Sequence, residues 1–397
     1  MTVKATKASI GMLALGIVLS SLSTADAQRS RGGRRPAEQR RQSAATRVSS
    51  VRSVSDVRKK LEDIHAAAKK ATSIEEYTDS LRECKTIYEA RVASPADQSY
   101  LRELSAWLYV QRGEAYGKVA VDADAKGDPQ ARTYEQKALS DFTQSIGLAP
   151  TWRAYHNRGV SHAVLSNFKE ALADFNEAID TNPKQHGSSF FNRAEVLYEL
   201  SQLETTDERV VQILEAAVRD YSRALIADPS DVQALTGRAH AKFELQKPGE
   251  ALRDFDAAIE LDSTNAITFA DRGDLYATVG EWRKAAKDLQ HAIRLDRSLG
   301  RAYQSAAWLM ATCPDASIRN PDLALQAANR ALQLDGSNDY RYLDTSAAAF
   351  ASAGQFKEAE DVIHQAMQKV RSPEVLEELR HRLATYQAGR PYRETQR

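Results

Sequence analysis

The sequence repeats itself with a fixed period. Between Trp152 and Gln185, Gly159 is followed after twelve positions by Ala171, after four more by Phe175, after three by Ala178 and after five by Pro183. The same intervals return as Ala239, Ala251, Phe255 and Ala258 in 232–265, and as Gly273, Tyr276, Ala285 and Ala292 in 266–299. Each stretch is 34 residues long. Such a unit cannot bury its apolar face alone and must stack on its neighbours, which excludes a single closed core. Inside a unit the spacing describes two short helices and a stop. Small residues at 159 and 171 let the helices approach, Phe175 fills the gap, Ala178 receives the next pair and Pro183 cannot continue a helix.

Further units keep both halves but lengthen the chain between them. Gly113, Tyr116, Ala138, Phe142 and Pro150 follow the pattern with 13 extra residues; Ala194, Ala217, Tyr221, Ala224 and Pro229 do so with 11. Ala307, Ala324 and Ala331 need five, and Ala347, Phe350, Gly354, Ala359 and Ala366 fall in register without any. These residues resemble the tetratricopeptide-repeat (TPR) family, whose 34-residue helix–turn–helix carries this small/aromatic/proline pattern. The resemblance covers 106–373 as seven units: 106–151, 152–185, 187–231, 232–265, 266–299, 300–338 and 340–373. It implies an all-α fold, a right-handed superhelical solenoid. Ser263 and Arg297 in place of proline, Leu289 in place of an aromatic and His162 in place of tyrosine depart from the pattern within single units.

The flanks read as covers for the ends of the stack. Val54–Lys70 and Ser73–Arg91 make a helix pair within 54–105, with Ser73 and Glu76 spaced as a capping box. Ser372-Pro373 starts a last amphipathic helix that Gly389 and Pro391 end, so 374–397 is a capping helix and tail.

The chain is neutral overall, but its charge is segregated. Residues 28–60 hold eleven Lys/Arg against Glu38 and Asp56, a net +9, while 61–397 carries −10. Residues 1–27 read as a secretory signal peptide: Lys4 and Lys7, an apolar run from Ile10 to Leu22, then Ala25-Asp26-Ala27 before a cleavage point at Gln28. The apolar run is shorter than the roughly 20 residues needed to span a bilayer, so no transmembrane span is expected after cleavage. The expected location is outside the cytoplasm, in a periplasm or envelope or beyond. Residues 28–53, rich in Arg, Ser, Gly and Gln, are expected to be a disordered linker. Their charge suits contact with anionic membrane or wall material, but the absence of interleaved aromatic residues favours a solvated linker; export makes a nucleic-acid partner unexpected.

On the first helix of a TPR pair, the stripe opposite the packed one lines a concave groove that binds partner peptides, and the resemblance implies the same use here. Counting 100° per residue from Trp152 puts Arg153, Asn157, Val160 and Val164 on that stripe. Later units contribute Asn192, Glu195, Glu199, Gln233, His240, Asp271, Asp274, Arg301 and Trp308, with His156 and Phe191 flanking. Asn157 and Asn192 are expected to bracket a peptide backbone, the carboxylates to favour a basic segment and Trp308 to serve as an anchor. His240 is expected to be a solvated groove residue and Cys313 an exposed thiol, with no disulfide to Cys84. Some TPR domains grip an acidic chaperone tail with Lys and Arg from three first helices, and the stripe lacks matching basic residues.

Nothing points to chemistry. The eight histidines form no HExxH pair or Cys/His cluster, and no GxSxG, phosphate loop or GxGxxG appears. The expectation is a non-catalytic scaffold for protein–protein interaction, without cofactor or metal.

Overall fold

The structure, a computed structural model, describes residues 54–181 and 187–394. Residues 1–27, expected to be a signal peptide, the Arg-rich segment 28–53 and Pro183 lie outside the described residues. Those described form seventeen α-helices and no strand, in two compact units that divide after Pro229.

The first unit holds α1 (Val54–Ala68), α2 (Ile74–Ala90), α3 (Pro95–Asp124), α4 (Ala131–Leu148), α5 (Trp152–Val164), α6 (Phe168–Thr181), α7 (Gly187–Leu203) and α8 (Asp207–Ala227). The second holds α9 (Val232–Glu244), α10 (Pro248–Leu261), α11 (Ala266–Thr278), α12 (Trp282–Leu295), α13 (Gly300–Thr312), α14 (Pro321–Asp335), α15 (Tyr340–Ser352), α16 (Phe356–Lys369) and α17 (Pro373–Gln387). From α3 to α16 the helices pair in sequence order as first and second members of successive repeats. The added length of 106–151 and 187–231 lies largely in longer helices: α4 has 18 residues and α8 has 21, against 14 for α6, and α3 runs on to Asp124. No helix among the described residues is long and apolar enough to cross a membrane.

Side-chain caps set where many helices begin. Thr151, Asp231, Asn320, Asp339 and Ser372 each accept a backbone N–H of the first turn. Ser73 and Glu76 form the reciprocal capping box. Ser94 caps α3 ahead of Pro95, so the boundary expected at 105/106 falls inside one unbroken helix. The start of α3 packs on α1 and α2 through Leu61, Ile64, Cys84, Leu101 and Leu108.

The turn inside the uninterrupted repeats has one geometry. Ser166, Gln246, Gly280 and Gly354 occupy the same place after the first helix, all with positive φ of 59° to 81°. In each, the next residue's N–H reaches back five positions, as Asn167 does to His162 and Glu281 to Tyr276. This pair of reversed bonds ties off the helix carbonyls and turns the chain. The two helices then meet as the spacing predicts. Ala171, Phe175 and Ala178 are fully buried, and a Cβ on Gly159 would lie 2.9 Å from the Phe175 ring. Gly113 faces Phe142 in the same way.

Both cysteines are free and buried. Burial pushes the Cys84 thiol up to about 11. Cys313 is not the exposed thiol expected from its place in a loop. It closes an apolar cluster with Leu309 and Ala302, and Arg319 folds over it to bind the carbonyls of Cys313 and Pro314.

Candidate functional site

Two polar systems organise the first helices, one within repeats and one between them. Among the described residues, five helix pairs share a two-point ion pair: Arg112–Asp141, Arg158–Asp174, Arg193–Asp220, Arg238–Asp254 and Arg272–Asp288, at 2.6–3.0 Å. Each Arg stands one residue before the small residue of the first helix, or before Ala at 194 and 239. Each Asp precedes the large residue of the second. Four of these guanidiniums also lie over an aromatic ring three residues earlier: Tyr109, Tyr155, Phe190 and Phe269. The planar fork matches a carboxylate and keeps the buried Asp paired. In the last two repeats the corresponding positions are Ala306 with Ala327 and Ser346 with Val362, so the clamp stops there.

The second system joins successive first helices within each unit. In the first unit, Glu114 of α3 receives Arg153 of α5 at 2.7 and 2.9 Å and the Asn157 amide at 2.8 Å. His156 of α5 hydrogen-bonds Ser189 of α7 through Nδ1 at 2.8 Å, and the Asn192 amide lies 3.5 Å from its other ring nitrogen. Within that last pair, the Tyr221 hydroxyl of α8 donates to buried Glu195 of α7. Burial, reinforced by the Glu195 charge, pushes the Tyr221 hydroxyl well up. Burial alone raises Glu199.

In the second unit, His240 of α9 meets Asp271 of α11 at 3.1 Å, and Arg301 of α13 pairs with the same carboxylate. Burial would raise Asp271, but Arg301 and His240 outweigh it and hold the carboxyl at about 2. Further along, Gln304 of α13 donates to Thr345 of α15 at 2.7 Å, and Arg382 of α17 donates to Asp344 of α15 at 2.9 Å. At Asp344 burial wins over the single contact with Arg382 and pushes the carboxyl up to about 6. Its Oδ1 makes no hydrogen bond, nor do the nearby Arg382 Nε and Tyr386 hydroxyl.

The residues expected to line the groove therefore divide by exposure. His156, Asn157, Phe191, Asn192, Glu195, His240 and Asp271 are buried, most of them in the ties between repeats. Gln233 is exposed, while Arg153, Glu199, Asp274, Arg301 and Trp308 are half-buried. His240 is a correction: it is 1% exposed, edge-on to Phe255, and not solvated. Phe191 packs against Tyr221 in the core. The Asn157 amide is engaged by Glu114, whereas Asn192 keeps a buried Oδ1 without a hydrogen bond. The ties escaped the sequence reading because their partners lie 26–43 residues away. The Arg–Asp clamp did leave a signal, a 16-residue spacing once the insertions of 13 and 11 are subtracted.

Trp308 lies beneath a segment of the chain itself. The α17 helix ends in reversed bonds from Gly389 to Tyr386 and from Arg390 to Thr385, with Gly389 at φ +64° and Pro391 barring further helix. Residues 390–394 then run without helix against α13. The Trp308 indole donates to the Glu394 carboxylate at 2.8 Å, and the Glu394 N–H donates to the Thr312 carbonyl at 2.9 Å. Arg393 donates to the Ala311 carbonyl at 2.7 Å. The Arg382 guanidinium lies 5.2 Å from the ring centres of both Trp308 and Tyr392. Thus two carbonyls at the end of α13, which no helical N–H can reach, are bound by residues some 82 positions later. Among the described residues no three His, Cys, Asp or Glu side chains gather as a metal site.

A family model for the tetratricopeptide repeat matches residues 153–185. The human mitochondrial import receptor subunit TOM70 is 25% identical over 228 residues, 56% of this chain and 35% of that protein. Hsc70-interacting protein 1 of Drosophila melanogaster is 30% identical over 105 residues, 26% of this chain and 27% of its own length. The chain thus spans about a third or less of these relatives. A solved tetratricopeptide repeat protein from Parabacteroides merdae superposes on 70% of the chain and 99% of its own, with a TM-score of 0.50 and 18% identity. Residues 153–185 are therefore a tetratricopeptide repeat, and the fold around them is the all-α helical-repeat fold built from that unit.

Proposed function

We propose that the chain is an exported, non-catalytic scaffold whose first-helix faces take extended segments of partner proteins. One observation carries the reading: residues 390–394 lie as a non-helical peptide against α13, held by a backbone hydrogen bond, an indole donor, and a tilted contact of the Tyr392 and Trp308 rings with the Arg382 guanidinium beside both. A surface that binds one peptide this way has the donors, acceptors and aromatic area to bind another. The ties between first helices support it further, because a face already cross-linked loses little freedom on binding. Relatives named as an import receptor subunit and an Hsc70-interacting protein are consistent with partner binding. Export rests on the leader pattern in 1–27.

Residue-level crosslinking of the mature chain in an envelope extract tests this, with Glu199→Gln at a half-buried position and Gln233→Arg at an exposed one as variants whose fold is checked by circular dichroism. Crosslinks concentrated on first helices and weakened by either substitution support the reading. Crosslinks confined to second helices sink it. A mature N-terminus at Gln28 supports export, and retained 1–27 in a cytoplasmic fraction removes that part.

A further inference from the structure

The seat on α13 has a definite chemistry. An indole N–H faces a carboxylate, the Trp308 and Tyr392 rings pack tilted against each other with the Arg382 guanidinium beside both, and two helix-end carbonyls meet donors. Residues 391–394 are only half-buried, join no helix or strand, and leave α17 through the exposed turn at Gly389. The carbonyls of Ala311 and Thr312 would revert to water if the segment lifted, so its departure strands no buried backbone group.

We infer that Trp308, Arg382 and the carbonyl end of α13 form a docking site for a partner segment bearing an aromatic residue two positions before a carboxylate, and that residues 390–394 occupy it in cis until such a segment displaces them. This rests on the reading of the first-helix faces as docking surfaces. The aromatic ring takes the place of Tyr392 against Arg382, and the carboxylate takes that of Glu394 on the Trp308 indole. An extended backbone supplies the N–H for the Thr312 carbonyl. A tether of a few residues gives the occupant a high effective concentration, so a free peptide competes poorly until the tethered one is weakened.

The probe is a fluorescein-labelled peptide with the sequence of residues 389–397, read by anisotropy against the full chain. Tyr392→Ala with Glu394→Gln in the protein weakens the resident segment but keeps the backbone that caps α13. This variant is expected to bind the peptide at least tenfold more tightly than the unsubstituted chain. Adding Trp308→Phe, which keeps a ring and removes the donor, should lower that affinity at least fivefold. A probe whose glutamate is replaced by glutamine should then lose nothing further. Equal binding by the two proteins, or no binding by a double variant with unchanged circular dichroism, overturns the proposal. A dimer that forms by exchange of the 390–394 segment, seen by light scattering, overturns it as well, since the occupant is then a second copy. First-helix crosslinks to a partner that persist while the peptide fails to bind would overturn this site alone and leave the scaffold reading standing.

Discussion

Gln246 holds φ +59° at a turn where two sister repeats use glycine. A side chain in that left-handed region costs about 1–2 kcal/mol, part of which glycine returns as entropy of the unfolded chain. Gln246→Gly is therefore expected to stabilise by about 0.5–1 kcal/mol, seen as a higher denaturation midpoint. A lower midpoint would show that Gln246 makes compensating contacts. The Arg–Asp clamp has the opposite logic. Arg158→Ala leaves Asp174, which is 4% exposed, without its guanidinium, and is expected to cost roughly 3 kcal/mol. Replacing the pair by Met and Leu should cost far less, because the cost comes from the stranded charge. The last two repeats already do without the clamp at those positions. Equal losses for the single and paired variants in urea denaturation would contradict this account.

At the scale of the helix pair, packing follows the period. Ala171 is fully buried where α5 and α6 meet, so Ala171→Leu overfills the contact and is expected to cost about 1–3 kcal/mol. An unchanged thermal midpoint would move Ala171 out of that contact. The tie between α15 and α17 makes a pH prediction. Asp344 titrates at about 6 in the folded chain and near 3.8 when unfolded, so between these values the folded state binds the additional proton. Stability from this group is fully present below about pH 4 and falls as pH rises through 6, by up to about 3 kcal/mol. Asp344→Asn removes the titration. The unsubstituted chain is expected to lose stability from pH 4.5 to 7 relative to the variant, and parallel stability curves would refute it. These helix pairs were legible in the sequence, since their apolar spacing lies within one 34-residue window. The extra length of 106–151 and 187–231 was legible only as a number: that it goes chiefly into longer helices follows from caps such as Ser94 and from packing on neighbours.

At the scale of the whole molecule, the charge is divided between a +9 segment at 28–60 and a body of −10. If the basic segment competes for acidic faces of the repeats, deleting 28–53 should tighten binding of a basic partner peptide, more at 20 mM salt than at 200 mM, since screening shortens the reach of the charges from roughly 20 Å to below 10 Å. Identical affinity with and without the segment at low salt would end that idea. Retention on anionic vesicles that vanishes with the deletion would instead assign the segment to a surface.

The sequence by itself determined the architecture: a helical hairpin of 34 residues, its small and aromatic contacts, and capping signals such as Ser73 with Glu76 and Ser372 before Pro373. Helical periodicity is local, so these features can be read within one window. Only the tertiary structure decided which polar groups remain available. Glu114 and Arg153 are 39 residues apart, His240 and Asp271 are 31 apart, and Trp308 and Glu394 are 86 apart. Stacking brings such residues together, and burial then compels each charge to find a partner. The buried half of the expected stripe is consumed in joining repeats, while Trp308 at its far end meets a segment of its own chain.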